Sequence, residues 1–337
     1  MSADDNAPTI PQSYLEKNRT RDQIRRGGAI SSLNDGIEIT THGISTRIIA
    51  WPGNGFQSES LHVLALGPGD ESGSYRYDSA EEGLACIKGK GEVFLRGGWV
   101  EIEAGDIAFF PAGVERAVRN PRGNRAPFVL IDQIAPPQFD LYEPAGYYDR
   151  ERGAMDFEAV EEAKKRAGRG ELSNEKEVHL NESHPEVRAW NLTAEEVRRG
   201  GALFNMFRGA MFGGLEVPMA LVLWPAYGAR SAGMHSGLLD QGKQAAVHTH
   251  PDSDEVICEL VGSGQHYCGD RWLDIDAWDV VLARWGVRHS TGGSRDPAAG
   301  RGGGIGFASP PQLDLYLRTP YYEDGKFEEP PWGTLEL

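Results

Sequence analysis

Four side chains in the second half of the chain have the types and spacing of a metal site. The segment Gly242-Lys243-Gln244-Ala245-Ala246-Val247-His248-Thr249-His250-Pro251-Asp252-Ser253-Asp254-Glu255 sets two histidines two residues apart. On a strand such a pair projects to one face. Glu255 follows five residues after His250, far enough for a turn and a returning strand to bring its carboxylate back. His289 follows much later, after Gly286-Val287-Arg288. Three neutral imidazoles and one carboxylate form a mixed nitrogen and oxygen donor set. It suits Fe(II), Mn(II), Ni(II) or Cu(II), can hold Zn(II), and leaves one or two positions for substrate, oxygen or water. One divalent ion per chain is expected, Fe(II) or Mn(II) before the others.

The elements that must position these groups occur twice. Setting Gly69 on Gly242, a shift of 173 (242 − 69), also pairs Glu82 with Glu255, Gly89 with Gly262, Trp99 with Trp272, Asp106 with Asp279 and Gly113 with Gly286. Further on, Pro136-Pro137-Gln138-Phe139-Asp140-Leu141-Tyr142 returns as Pro310-Pro311-Gln312-Leu313-Asp314-Leu315-Tyr316, and Tyr147-Tyr148 returns as Tyr321-Tyr322. So long a period is a duplicated domain, not a solenoid. In the first copy Cys86–Lys88, Glu92–Leu95 and Ile107–Phe110 read as strands cut by Gly-rich turns. In the second, Val256–Val261, His266–Cys268 and Val280–Ala283 do the same, which argues for a β-sandwich or barrel. Helices are expected outside the repeats at Pro11–Arg26, Asp156–Arg166 and Thr193–Arg199, the last opened by a capping box from Thr193 to Glu196. The expected division is an N-terminal arm over 1–45, a first domain over 46–148, a charged helical linker over 149–200 and a metal-binding domain over 201–337.

The first copy is an internal control. The same shift puts Tyr75 at the His248 position, Tyr77 at His250 and Arg116 at His289, and only Glu82 survives. A guanidinium repels a divalent cation, so Arg116 is expected where the ion would sit, paired with Glu82. The first domain then reads as structural.

On these residues the chain resembles the cupin superfamily. The first motif of that family is Gly, five residues, His-x-His, a short gap, Glu, six residues, Gly, and it is met by Gly242, His248, His250, Glu255 and Gly262. Asp279, Gly286 and His289 fit the second motif, while Trp278, Arg284 and Gly293 replace its Gly, Pro and Asn at turn positions. The resemblance implies two tandem jelly-roll β-barrels, all-β dominated with a few peripheral helices, and a metal inside one end of the second.

Around the ligands, strand alternation puts Ile257 and Glu259 on the ligand face. His266 and Cys268 align with the apolar Val93 and Leu95. That turns His266 inward as a candidate acid or base; the alternative is a satisfied core or surface histidine. Arg284 and Arg288 flank the last motif strand, and Arg284 is a candidate anchor for a substrate carboxylate, against the alternative of an exposed arginine. His235 precedes the motif at a possible mouth and reads as a loop residue. Trp99 and Trp272 recur in both copies and read as fold residues.

Cupins with three His and one Glu resemble oxygenases, so the resemblance implies a dioxygenase acting on a small anionic or aromatic molecule, with O2 as co-substrate. Gentisate-type enzymes are similar in length but carry their metal in the first barrel and without the Glu. Non-redox hydrolysis, decarboxylation or isomerisation stays open, since bicupins resembling ureidoglycine aminohydrolase hold their metal in the second barrel. A non-catalytic binding or storage cupin is the third reading.

Composition sets the outer limits. A length of 337 residues favours two domains, and 25% charged with 39% hydrophobic residues is ordinary for a globular protein. A net charge of −16 disfavours a nucleic-acid partner, and no apolar run approaches a membrane span. The polar start Met1-Ser2-Ala3-Asp4-Asp5 is unlike a signal peptide, and three cysteines, Cys86, Cys258 and Cys268, fit reduced core thiols. The expected setting is cytoplasmic, as a homo-oligomer.

Overall fold

The computed structural model of the chain describes residues 19–168, 170, 172, 177–213, 217–296, 298–317, 319–323, 326–327 and 330–336. Each half supplies its strands in the same order. The first half runs β1 (Ala29–Ser32), β2 (Ile37–Thr41), β3 (Ile44–Ala50), β4 (Ser60–Leu66), β5 (Glu81–Lys88), β6 (Lys90–Leu95), β7 (Gly98–Glu103), β8 (Asp106–Phe110), β9 (Val118–Arg119) and β10 (Phe128–Ala135). After the short pair β11 (Tyr148–Asp149) and β12 (Ala154–Met155), the second half repeats the pattern. It runs β13 (Ala202–Asn205), β14 (Arg208–Phe212), β15 (Met219–Leu223), β16 (Gly233–Leu239), β17 (Asp254–Val261), β18 (Ser263–Cys268), β19 (Arg271–Asp276), β20 (Asp279–Ala283), β21 (His289–Gly293) and β22 (Gly302–Ser309). The six strand segments expected from sequence all fall inside these. The barrel pairings are antiparallel.

One long sheet runs through both halves in the order β1-β20-β17-β22-β16-β15-β14-β13-β8-β5-β10-β4-β3-β2, and each half adds a three-stranded sheet, β7-β6-β9 or β19-β18-β21. Each barrel is thus a large sheet closed over a small one, the two-sheet jelly-roll arrangement expected.

The barrels exchange strands. β1 lies in the expected N-terminal arm yet pairs with β20, Ala29 opposite Leu282, so it belongs to the second barrel. β13 lies in the expected second domain yet pairs with β8, Ala202 opposite Phe109. The boundaries at 45 and 200 therefore do not separate the barrels. The helices before these strands are likewise copies of one element rather than additions to the repeat. α1 (Arg21–Gly27) is capped by Thr20 with Gln23. α3 (Ala194–Gly200), third in chain order, is capped by Thr193 with Glu196, again a shift of 173 (193 − 20). Of the expected helix over Pro11–Arg26, residues 11–18 lie outside the described residues. α2 (Phe157–Arg166) forms as expected behind its Asp156 cap and buries Val160 and Ala163 against Trp51 and Tyr142, while Phe157 remains exposed.

A reciprocal clasp joins the two barrels. Glu81, at the start of β5, accepts from the backbone N–H groups of Arg230, Ser231 and Ala232 at 2.7–3.0 Å. Asp254, at the same place on β17, accepts from Gln57 N at 2.9 Å and Ser58 N at 3.2 Å. All three cysteines are free and buried. No helix among the described residues is long and apolar enough to cross a membrane.

Candidate metal centre

β17 supplies the carboxylate. Its inward face carries Glu255, Ile257 and Glu259 in alternation, and all three line one cavity, as expected. His248 and His250 come from the extended loop before β17 rather than from a strand. Their loop is pinned to the turn before β21: His248 and His289 exchange both backbone hydrogen bonds, at 3.0 and 2.9 Å, and Gly286 N donates to His250 O at 2.8 Å. Gly286 has a φ of +78°, which a side chain would oppose.

The four candidate side chains, His248, His250, Glu255 and His289, converge. Their donor atoms lie within 4.8 Å of one another, about the span of opposite donors around an ion with bonds of roughly 2.0–2.4 Å. His289 Nε2 stands 2.7 Å from Glu255 Oε2, and His250 Nε2 stands 3.0 Å from the same oxygen. Every Nδ1 points the other way, to an acceptor. His248 Nδ1 meets Ala246 O at 2.8 Å, His289 Nδ1 meets Val287 O at 2.9 Å, and His250 Nδ1 meets Asp314 Oδ2 at 3.0 Å. Those acceptors fix the tautomer with the proton on Nδ1 and leave each Nε2 lone pair aimed inward. His250 Nε2 is buried and, although 3.0 Å from Glu255 Oε2, makes no aligned hydrogen bond, a gap that a cation would satisfy. The residues fit a divalent ion. Among the described residues, no other such group of three converges.

Without an ion, the cluster balances its charge internally. Burial works against both charged forms, yet His289 and His250 hold Glu255 well below the usual carboxylate range. Against the same burial, the Glu255 and Asp314 carboxylates push His250 up to about 9. Burial and the neighbouring imidazoles lower His248 to about 4.

Residues 62–132 match the family model for the cupin domain. That match lies in the first barrel, and the second repeats its strands around a complete ligand set. The first barrel carries a cupin domain, and both barrels have the cupin fold. Solved structures agree on the fold. A Pseudomonas aeruginosa structure described as a glyoxylate-induced protein is similar at a TM-score of 0.54 and 15% identity, with 92% of each chain covered. Procruciferin, an 11S globulin from Brassica napus, gives 0.52 at 9% identity, over 83% of this chain and 84% of its own. Oxalate decarboxylase from Lactobacillus farciminis gives 0.50 at 15%, over 84% and 86%. A search of curated proteins gave no sequence match.

The cavity is bounded by His248, Glu255 and His289 on one side and is mostly apolar elsewhere. Its walls include Met219, Leu239, Ile257 and Leu315, and three glycines, Gly237, Gly304 and Gly306. Gly306 is required by its neighbour, because a Cβ there would stand 2.3 Å from His235 Nε2. His235 is therefore not a loop residue. It sits on β16 at the cavity wall, with Nε2 3.1 Å from Glu255 Oε1, the carboxylate oxygen turned away from His250 and His289. The match of His62 to His235 at the common shift was a cue to its inward position.

The other candidates fare differently. His266 is fully buried, with Nδ1 3.3 Å from Thr291 Oγ1 and its ring parallel to that of His289 at 6.3 Å between centroids. It packs behind a ligand and is not among the cavity-lining residues, so its place is that of a core histidine; burial and His289 lower it well below the usual imidazole range. Arg284 neither lines the cavity nor lies exposed. It is 3% exposed, with Nε 3.4 Å from Asp254 Oδ1 and Nη2 3.3 Å from Gln57 Oε1, and so strengthens the inter-barrel clasp. No arginine or lysine is among the cavity's described lining residues. Asp314, which orients His250, was missed by sequence reasoning although its motif recurs in both copies.

The first barrel carries the expected substitute. Arg116 Nη1 lies 3.1 Å from Glu82 Oε2, with both side chains buried. Tyr75 OH donates to Glu82 Oε1 at 3.0 Å, and the rings of Tyr77, Phe110 and Tyr75 lie 5.0, 5.3 and 5.8 Å from the guanidinium carbon. Asp132 also faces this cluster. Burial and each other's charge raise Glu82 to about 8, and burial raises Asp132 to about 7, against the pull of Arg116.

Proposed function

We propose that this cupin is a metal-dependent enzyme with one site per chain, in the second barrel, and that it is a dioxygenase of a small organic molecule. The observation that supports it is the aim of three Nε2 lone pairs and one carboxylate at a common point on the wall of a mostly apolar cavity. Bound Fe(II) or Mn(II) would supply the coordination positions for a chelating substrate and the redox partner for O2. The chain's own residues do the rest. Asp314 and two backbone carbonyls hold the imidazoles in register. His235 holds the free side of Glu255, and Met219, Leu239, Ile257 and Leu315 exclude water around the bound substrate.

A second reading is favoured by His235 and Glu259, two proton-carrying groups in the same cavity. They suit non-redox catalysis at Mn(II) or Zn(II) by hydrolysis, decarboxylation or isomerisation. The oxygen electrode decides between them with Fe(II)- and Mn(II)-reconstituted protein and a panel of small chelating acids, amides and phenols. Oxygen consumption matched to substrate loss is expected. Turnover under strict anaerobiosis would select the second reading, and binding without turnover would point to a non-catalytic cupin.

A further inference from the structure

Beyond the candidate ligands, the cavity ends on a carboxyl group, Glu259, with no cationic side chain among the cavity's described lining residues. Glu259 lies four residues beyond Glu255 on the same face of β17, about 13 Å along the strand. It lines the cavity and is 2% exposed. Its one hydrogen bond runs from Gly303 N to Oε1 at 2.8 Å, and its second oxygen is left to the cavity. The charged groups that act on it are the carboxylates of Asp279 and Asp276, of its own sign. Burial and these acids push Glu259 up to about 8.

The fold does not require this carboxylate. At the same place in the first barrel, opposite Leu130 as Glu259 is opposite Gly304, stands Cys86. Glycines make room for it: a Cβ on Gly302 would stand 2.9 Å from Glu259 Oε1. A buried, half-satisfied carboxylate is costly unless something supplies a donor or a positive charge.

We infer that Glu259 is the far end of the substrate subsite and recognises an ammonium or N–H donor. The substrate class is then a small molecule with a metal-chelating group at one end and an amine or amide at the other, rather than a dicarboxylate. This rests on the metal-site reading above and, of the anionic or aromatic substrate expected from sequence, sets aside the anionic one in favour of a cationic or neutral molecule.

The test uses Mn(II)-loaded protein and three hydroxamates with one chelating head and different tails: propionohydroxamate, β-alanine hydroxamate and succinic monohydroxamate. Mn(II) binding is titrated first by calorimetry, and its absence would sink the metal reading itself. With Mn(II) in place, the ammonium tail should bind about tenfold or more tightly than the ethyl tail, and the carboxylate tail more weakly than either. Glu259→Gln should erase the preference and leave propionohydroxamate affinity unchanged. Equal affinity for the ammonium and ethyl tails in the unaltered protein, or a preference that survives Glu259→Gln, would overturn the inference. The tail comparison in the unaltered protein holds even if the variant folds poorly.

Discussion

Strand register superposes the two barrels side chain on side chain, and the inward positions differ in kind. His248, His250 and His289 in the second barrel stand where the first has Tyr75, Tyr77 and Arg116. Gly237, Gly304 and Gly306 stand where it has Leu64, Leu130 and Asp132. Glu255 and Glu82 occupy one point, opposite Ala308 and Ile134. One barrel therefore sets a built-in guanidinium beside its glutamate and fills the same positions with two leucines and an aspartate. The other sets three imidazoles around its glutamate, a group that could hold a cation, and has glycines at those positions. A buried leucine contributes roughly 1.5–3 kcal/mol, so the filled barrel gains stability where the hollow one gains a cavity.

Removing the internal cation should have the largest effect on this contrast. Arg116→Met removes the guanidinium beside the buried Glu82 and Asp132 and should cost about 3–5 kcal/mol at about pH 9, where both acids are ionised, measured by urea unfolding. A loss below about 1 kcal/mol would mean that Arg116 does not stand in for an ion.

Refilling the hollow barrel comes next. At Gly237 an added Cβ meets nothing closer than 3.7 Å, so Gly237→Leu can imitate Leu64 of the first barrel. Mn(II) binding and melting should be nearly unchanged, while calorimetry should show propionohydroxamate binding reduced about tenfold or more. Unchanged ligand binding would place the substrate elsewhere.

The smallest effect is a pH slope. Glu82 and Asp132 titrate near 8 and 7 in the fold, above their unfolded values of 4.5 and 3.8. The folded barrel thus keeps protons that the unfolded chain has released. The stability these groups contribute is full below the unfolded values and is lost as pH rises through the folded ones. Asp132→Asn should flatten the fall in melting temperature between pH 5 and pH 8; an unaltered slope would contradict the shared burial.

Three of the four candidate ligands were legible because their spacing is local, His-x-His and a turn before β17; His289, beyond β20, was legible only through the second motif. The Arg116–Glu82 pair was legible because the copies align without a gap. Strand exchange was not, since β1 and β13 are four-residue segments buried on every side, with no alternation to name a partner. The glycine stripe was hidden because the register slips from 173 to 174 (306 − 132) before β22. Asp314 was hidden because its copy, Asp140, points to solvent and pairs with Arg150 at 3.1 Å. Arg284 misled because its role depends on Asp254 and Gln57, and no spacing rule links Arg284 to Gln57.

Elemental analysis of the protein after loading with Fe(II) or Mn(II) bears most directly on the contrast between barrels. One equivalent per chain is predicted, lost in His250→Ala and kept in Tyr77→Phe. No retained metal, or two equivalents with the second lost on changing Tyr77, would contradict it.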